Sequence, residues 1–295
     1  MTKKNSHKNN ARLRRAEIAR ETLEILKRGS YIPPQGKKVD LKKSIDFAVS
    51  NSFLVRPGRK EEFYRQVEEM RKGDFSFQTK IEVTAETTLE AARRLTEEGR
   101  FTNIGCLNFA SAKNPGGGLL KGSGAQEESL ARASALYACL SSFKELYEVN
   151  RKYKSALYTD HMIYSPQVPV FRDMEDNLLR HPFCINIITA PAVNAGVVES
   201  REPHNAHRID EVMVERIGMI LALAAVQRSD ALVLGAYGCG VFKNGPHRVA
   251  EYFAHYLTRD GYFAGIFSHI TFAVPPGKGT PSNYESFKQH FSNIS

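Results

Sequence analysis

Apolar runs of strand length alternate with longer segments of helical periodicity along most of this chain. The strand-like runs fall at 81–84, 104–110, 162–171, 183–193, 231–242 and 269–275, and prolines interrupt the third of them. Helical spacing of apolar positions indicates helices at 10–28, 59–71, 86–98, 127–141, 210–228 and 247–257, with a short one closing the chain. Alternation of this kind predicts an α/β fold whose mainly parallel sheet has helices on both faces.

Two glycine-rich segments follow predicted strands, at 111–125 and 235–245. In open α/β sheets, ligands bind beyond the carboxyl ends of the strands. Both loops are therefore expected to lie at the same edge of the sheet and to form one site there.

The first segment contains five glycines between positions 116 and 124 and leads into Gln126-Glu127-Glu128. A triple glycine lets a ligand approach the backbone closely, and its N–H groups can face phosphate or ribose oxygens. Neighbouring helical residues point about 100° apart, so the two carboxylates cannot do the same task. One can address a reacting bond while the other holds the ligand. The alternative is that they only favour the positive end of a helix.

The second segment, GAYGCGVFKNG, lies between a buried strand and a helix that begins near Pro246. Backbone amides of such a turn form an anion site, and Tyr237 and Phe242 offer aromatic faces for a ribose or base. The alternative is a tight turn with both rings in the core.

Charge and cysteine content add little chemistry. The net charge is +9, but residues 1–16 carry six basic residues and no acid, so the remaining 35 basic and 32 acidic residues differ by only three. This basic tail could bind a polyanion such as nucleic acid, although a solvated, frayed terminus is the favoured interpretation. The four cysteines lack a CxxC pair, which favours a reduced, cytoplasmic compartment. No secretory signal and no apolar run of membrane length is present, so no membrane association is expected.

Five segments together resemble the bacterial-type poly(ADP-ribose) glycohydrolases. The hallmark of that family, three glycines, six to eight residues and then QEE, is matched by Gly116–Gly118, seven residues and Gln126–Glu128. The other similar segments are RAEIARETLEIL, LNFASAKNPGGG, MIYSPQVPVFRD, ITAPAVN and GAYGCGVFKN. The resemblance implies a macrodomain-like core at 101–295 with a mixed, mainly parallel sheet. It also implies an N-terminal helical extension, assigned to 17–100, that forms one compact unit with the core. The basic residues 1–16 are expected to form a flexible tail.

The resemblance also assigns roles to residues. It implies that Glu128 is the catalytic acid/base and that Glu127 binds the ribose hydroxyls beside the scissile bond. The implied substrate-binding residues are Asn108, Ser111, Gly116, Gly117, Gly118, Gln126, Gly238, Cys239, Gly240, Val241 and Phe242. Among these, residues 238–242 would form a diphosphate loop, with Phe242 against the distal ribose.

The implied reaction is hydrolysis of ribose–ribose bonds in poly(ADP-ribose), free or attached to protein, from the chain end and without metal or cofactor, releasing ADP-ribose. One glutamate would serve as acid and then as base, unlike the usual pair of carboxylates. Two alternatives stay open, a macrodomain that only binds ADP-ribose and a hydrolase of mono-ADP-ribosyl linkages. His204 and His207 form a weak candidate metal pair, because no cysteine or carboxylate cluster is near them in sequence.

Overall fold

The computed structural model describes residues 3–34, 36–72, 77–258, 260–277 and 282–292, with side chains from residue 9 onward. The helices are α1 (Lys3–Arg28), α2 (Lys42–Asn51), α3 (Lys60–Arg71), α4 (Thr88–Glu97), α5 (Gln126–Ala133), α6 (Leu136–Ser141), α7 (Lys144–Lys152), α8 (Ala195–Arg201), α9 (Ile209–Val226), α10 (Pro246–Leu257) and α11 (Asn283–Phe291). The strands are β1 (Ser30–Tyr31), β2 (Val39–Asp40), β3 (Phe53–Val55), β4 (Lys80–Thr84), β5 (Ile104–Phe109), β6 (Met162–Arg172), β7 (Leu178–Ala190), β8 (Ala231–Leu234) and β9 (His269–Ala273). Two 3₁₀ turns lie at Leu119–Lys121 and Pro203–Arg208.

A seven-stranded mixed sheet in the order β3-β6-β7-β5-β8-β9-β4 forms the centre of the fold. The five strands from β7 to β4 run parallel, whereas β6 pairs antiparallel with both β7 and β3. The predicted mixed, mainly parallel sheet is therefore confirmed. Segment 17–100 supplies both edge strands, β3 and β4, in addition to helices.

Alternate residues of each inner strand face two separate apolar layers. In β8, Leu232 and Leu234 join the layer that contains α9 and α10, while Ala231 and Val233 join the layer that contains α2, α4 and α6. Both faces of β8 are buried, which explains why its sequence is apolar throughout rather than alternating. Burial on both faces also directs any ligand to the ends of the strands.

Predicted elements differ from the structure where tertiary pairing intervenes. The helix predicted over 127–141 is divided into α5 and α6, because Ser134 is extended and bridges to Val170 of β6. The prolines of β6 do not end the strand. They accompany a register shift between Ser165 and Val168, at which Gln167 has a positive φ of 50°.

Among the described helices and strands, six elements were not predicted, namely the helices α2, α7 and α8 and the strands β1, β2 and β3. At the N-terminus, the helix predicted from residue 10 begins at Lys3 instead and ends as predicted before Gly29, whose φ is 68°. This helix, α1, packs against the 3₁₀ turn Leu119–Lys121, which belongs to the first glycine-rich loop.

One buried arginine joins α9 to the chain on either side of β6 and β7. Arg216 is fully buried and donates to the carbonyl oxygens of Leu157, Tyr158 and Pro191 and to Asp160. Replacing it removes the partner of all three carbonyls at once.

We therefore predict that Arg216→Met lowers the free energy of unfolding by about 3 kcal/mol, because buried carbonyls lose their donors. Chemical denaturation measures this change. Arg208→Met, at an exposed position just before α9, is the matched control and should stay within about 0.5 kcal/mol of the native protein. Equal losses in both variants would contradict the assigned role of Arg216.

Candidate active site

The two glycine-rich loops meet because the strands before them, β5 and β8, are neighbours in the sheet. Beyond their carboxyl ends lies a cavity of about 960 Å³. Its walls include Ser111, Gly117, Gly118, Gln126, Glu127 and Glu128 from the first loop and α5, and Gly238, Gly240, Val241 and Phe242 from the second. The structure thus brings together most of the site residues predicted from sequence.

Glu127 lines the cavity and is buried, with 3% of its surface exposed. Its carboxylate accepts a hydrogen bond from the Ser111 N–H at 2.7 Å and a longer one from the Asn108 amide at 3.4 Å. Burial raises its pKa from 4.5 to about 8, an effect that the nearby Glu128 carboxylate reinforces and the hydrogen bonds oppose. Burial of Glu127 therefore favours its protonated form.

Glu128 accepts its hydrogen bonds from two backbone N–H groups. Its two carboxylate oxygens accept hydrogen bonds from the N–H groups of Gly118 at 2.8 Å and Ala125 at 3.0 Å. Ala125 is the residue that caps α5, so Glu128 ties the start of the helix to the glycine loop that precedes it. The two glutamates thus have different environments, as their positions on the helix require.

Gly117 brings the loop against both carboxylates. A Cβ atom at this position would lie 2.4 Å from Glu128 Oε1 and 3.0 Å from Glu127 Oε2, and φ is 59°. Glycine therefore fits this position best, because a Cβ atom would clash with the Glu128 carboxylate and residues with side chains rarely adopt this φ. Gly116 also has a positive φ of 64° and packs against Tyr137, whereas Gly118 supplies a donor to Glu128.

Gln126 and Asn108 are bound to the protein itself. The Gln126 amide accepts from the Phe109 N–H and donates to the Leu107 carbonyl, which extends the hydrogen bonding of β5. Asn108 is fully buried, lies outside the cavity wall and donates to Thr189 and Glu127. In this structure Asn108 supports Glu127 from behind, and its substrate-binding role stays a prediction.

The second loop presents unused N–H groups. Within the part of the chain that the structure describes, the N–H groups of Gly240, Val241 and Phe242 donate to no protein acceptor. Successive free N–H groups in a glycine-rich turn form a concave anion site. Gly238, at a φ of 74°, accepts from Asn244 on the far side of the turn and so fixes its shape.

The side chains of this loop divide between the cavity and the core. Phe242 lines the cavity and its ring lies 6.0 Å from that of Tyr158. Tyr237 is fully buried and donates to the Ala190 carbonyl, so of the two aromatic residues only Phe242 faces the site. Cys239 contributes no side chain to the cavity wall, and burial raises its pKa to about 12.

Proteins of known structure resemble this chain over most of its length. A family model described as "Microbial-type PARG, catalytic domain" matches residues 19–173. The solved poly(ADP-ribose) glycohydrolase of Thermomonospora curvata is 42% identical over 94% of this chain and 99% of its own, with a TM-score of 0.88. The Deinococcus radiodurans enzyme, solved with ADP-ribose, is 44% identical over 85% and 97% of the two chains, with a TM-score of 0.78. A search of curated proteins finds no match.

The chain belongs to the microbial-type poly(ADP-ribose) glycohydrolases. The T. curvata enzyme has also been solved with the inhibitor ADP-HPD, at 42% identity and a TM-score of 0.86. The predicted family resemblance and macrodomain-like fold are thereby confirmed.

Several cavity residues of this glycohydrolase were not predicted from sequence. They come from elements far apart in the chain and include Thr88, Tyr137, Met174, Ala192, Val274 and Asn283. Of the prolines near the last strand, Pro275 lines the cavity, while Pro281 lies outside the described residues. None of these residues belongs to a recognisable sequence motif. They come together only through the topology of the fold.

Other candidate features lie away from the cavity. His204 and His207 are exposed in the turn Pro203–Arg208, and the described residues contain no group of three or more potential metal ligands. Among the described helices, none combines the length and apolar character that a bilayer span requires.

The raised pKa of Glu127 predicts a pH-dependent stability. Because the folded-state pKa of about 8 exceeds the ordinary value of 4.5, this carboxyl stabilises the fold fully below pH 4.5, and the contribution is lost as the pH rises through 8. We predict that Glu127→Gln gains in melting temperature relative to the native protein between these pH values. The gain should correspond to a few kcal/mol, roughly.

Thermal unfolding at a series of pH values measures this difference. Glu148→Gln, at an exposed position on α7, is the control and should show no such trend. A difference between Glu127→Gln and native protein that does not change with pH would show that Glu127 is ionised throughout.

Proposed function

We propose that this protein hydrolyses the ribose–ribose O-glycosidic bonds of poly(ADP-ribose) and releases ADP-ribose, with Glu128 acting first as acid and then as base. The observation that carries this proposal is a single cavity with two buried glutamates on one wall and three free backbone N–H groups on the other. ADP-ribose offers the matching chemistry, namely ribose hydroxyls at one end and a diphosphate in the middle. The cavity volume of about 960 Å³ also suits a ligand of this size.

In the proposed complex, the diphosphate accepts hydrogen bonds from the N–H groups of Gly240, Val241 and Phe242. The Phe242 ring lies against the distal ribose. The hydroxyls of that ribose donate to Glu127, whose carboxylate the Ser111 N–H already orients. This arrangement brings the anomeric carbon next to Glu128.

Substrate binding redistributes the proton of the glutamate pair. In the free protein, burial favours the protonated form of Glu127. Ribose hydroxyls that donate to Glu127 favour its ionised form, and the nearby diphosphate adds negative charge. The proton then resides on Glu128, beside the leaving oxygen.

The reaction proceeds in two steps. Glu128 protonates the oxygen of the departing ribose, and the bond between that oxygen and the anomeric carbon breaks with its electron pair going to the oxygen. The oxocarbenium-like ribose that remains is stabilised by the diphosphate charge. Ionised Glu128 then removes a proton from water while the water oxygen bonds to the anomeric carbon. This step regenerates protonated Glu128 and completes the hydrolysis.

We assign attack to the chain end. The cavity wall formed by Leu119, Leu120 and Lys121 has α1 packed behind it, so the polymer has no continuation on that side. Release of single ADP-ribose units at early times supports this assignment, whereas early release of oligomers would contradict it.

We predict that Glu128→Gln lowers kcat for ADP-ribose release from purified polymer by at least about 100-fold, because the amide cannot carry the proton. Its Kd for ADP-ribose should change by less than about tenfold, since the shape of the site is kept. Product quantification and calorimetry measure the two quantities, and Glu148→Gln serves as the control for loss of one negative charge.

Three results would redirect the proposal. Full activity of Glu128→Gln would remove Glu128 from the reaction. ADP-ribose binding without cleavage by the native protein would favour a binding module. Cleavage of mono-ADP-ribosylated protein but not of polymer would favour a mono-ADP-ribosyl hydrolase.

We also predict that Gly238→Ala weakens ADP-ribose binding by at least about tenfold, because the loop can no longer present its N–H groups. A Cβ atom there would lie 2.6 Å from both Ala192 and Asn244, at a φ of 74°. Gly99→Ala is the matched control, because Gly99 has a φ of 68° and open space around it, far from the cavity. Equal affinity of the two variants would show that this loop does not bind the ligand.

A further inference from the structure

The first glycine-rich loop, residues 111–125, is called the catalytic loop below. Three of its consecutive carbonyl groups each accept a hydrogen bond from a different arginine. The pairs are Arg12 Nε to the Lys121 carbonyl at 2.7 Å, Arg15 Nε to the Gly122 carbonyl at 2.9 Å, and Arg132 Nη1 to the Ser123 carbonyl at 3.2 Å. Arg12 and Arg15 come from α1 and Arg132 from α5, so the loop is held from two sides. Such charge-assisted hydrogen bonds are stronger than those between neutral groups.

The same stretch of loop also holds Glu128. Gly118, just before the arginine-bound carbonyls, and Ala125, just after them, donate their N–H groups to the Glu128 carboxylate. The Ser123 N–H donates to the Gly118 carbonyl at 3.2 Å and closes the loop on itself. The orientation of the peptides that the arginines bind therefore determines where the donors of Glu128 point.

Helix α1 touches the loop backbone directly. A Cβ atom on Gly122 would lie 1.9 Å from the Arg12 carbonyl oxygen, and the φ of Gly122 is 69°. Ala19 of α1 packs with Leu119 and Ala131 in a small apolar cluster beneath this contact. The helix is thus fitted to the loop over both its backbone and its side chains.

These arginines do not face the ligand. Neither Arg12, Arg15 nor Arg132 lines the cavity, whereas their neighbour Lys121 does. Arg132 is buried and also binds Asp176, while Thr22 of α1 donates to the Arg132 carbonyl at 2.7 Å. Any effect of the three guanidinium groups on the reaction must pass through the loop.

We propose that Arg12, Arg15 and Arg132 are positioning residues that clamp the catalytic loop and so set the geometry of Glu128. This inference rests on the proposed role of Glu128. A loop with five glycines samples many conformations when free, and ordering it carries a large entropic cost. The clamp keeps the loop in the one arrangement that presents the Gly118 and Ala125 N–H groups to Glu128.

The test replaces the two arginines of α1. We expect Arg12→Ala/Arg15→Ala to lower kcat by about 10- to 100-fold, because a small displacement of a catalytic group has a large effect on the rate. KM and the Kd for ADP-ribose should stay within about twofold, since the arginines contact no ligand. Arg12→Lys/Arg15→Lys keeps a cationic donor and should recover part of kcat. Arg20→Ala, at an exposed position on the same helix, is the control and should match the native protein.

Hydrogen exchange provides a measure that does not depend on turnover. Amides of residues 117–125 should exchange faster in the double alanine variant than in Arg20→Ala. Exchange of the amides in the central sheet should be the same in both variants. If native protein releases no ADP-ribose, the proposed function fails, but the exchange result still decides whether the clamp orders the loop.

Two outcomes would overturn the clamp. An unchanged kcat with a raised, salt-sensitive KM would make the arginines a contact for the polymer itself. A lowered kcat and melting temperature with unchanged exchange at 117–125, and no recovery by lysine, would give α1 a purely structural role.

Discussion

The site depends on the burial of two adjacent carboxylates against a glycine-rich loop. Buried carboxylates are costly unless protons or hydrogen-bond donors compensate them. Both residues accept hydrogen bonds, Glu128 from two backbone N–H groups and Glu127 from the Ser111 N–H and the Asn108 amide, and burial raises the pKa of Glu127 to about 8. Because Gly117 has no side chain, the loop can approach both carboxylates closely.

The sheet sets where this chemistry takes place. Because β5 and β8 are neighbouring parallel strands, the two glycine-rich loops that follow them lie side by side at one edge of the sheet. Two apolar layers enclose the inner strands, so the carboxyl edge is the accessible place for a ligand. Helix α1 packs behind the first glycine-rich loop, so the N-terminal segment supports a wall of the cavity as well as the fold.

Sequence patterns predicted those parts of the molecule that depend on local order. The strands β5 and β8 and most of helix α9 are buried, so apolar runs in the sequence predicted all three. The glycine-rich segments predicted the two loops. The division between α5 and α6 was not predictable, since it follows from the pairing of Ser134 with Val170. Asn108 donates to Glu127 and lies outside the cavity wall, which its position in the sequence did not indicate, and its substrate-binding role stays a prediction. Arg12 and Arg15 bind carbonyls more than 100 residues away, and no local pattern reports such a contact.

The pH dependence of kcat/KM for polymer hydrolysis tests the central claim most directly, because it reports the protonation state of the free enzyme. If the glutamate pair carries one catalytic proton, kcat/KM falls as the pH rises above about 8, where Glu127 ionises. A kcat/KM that stays constant or rises from pH 6 to pH 10, roughly, would contradict an acid role for the pair.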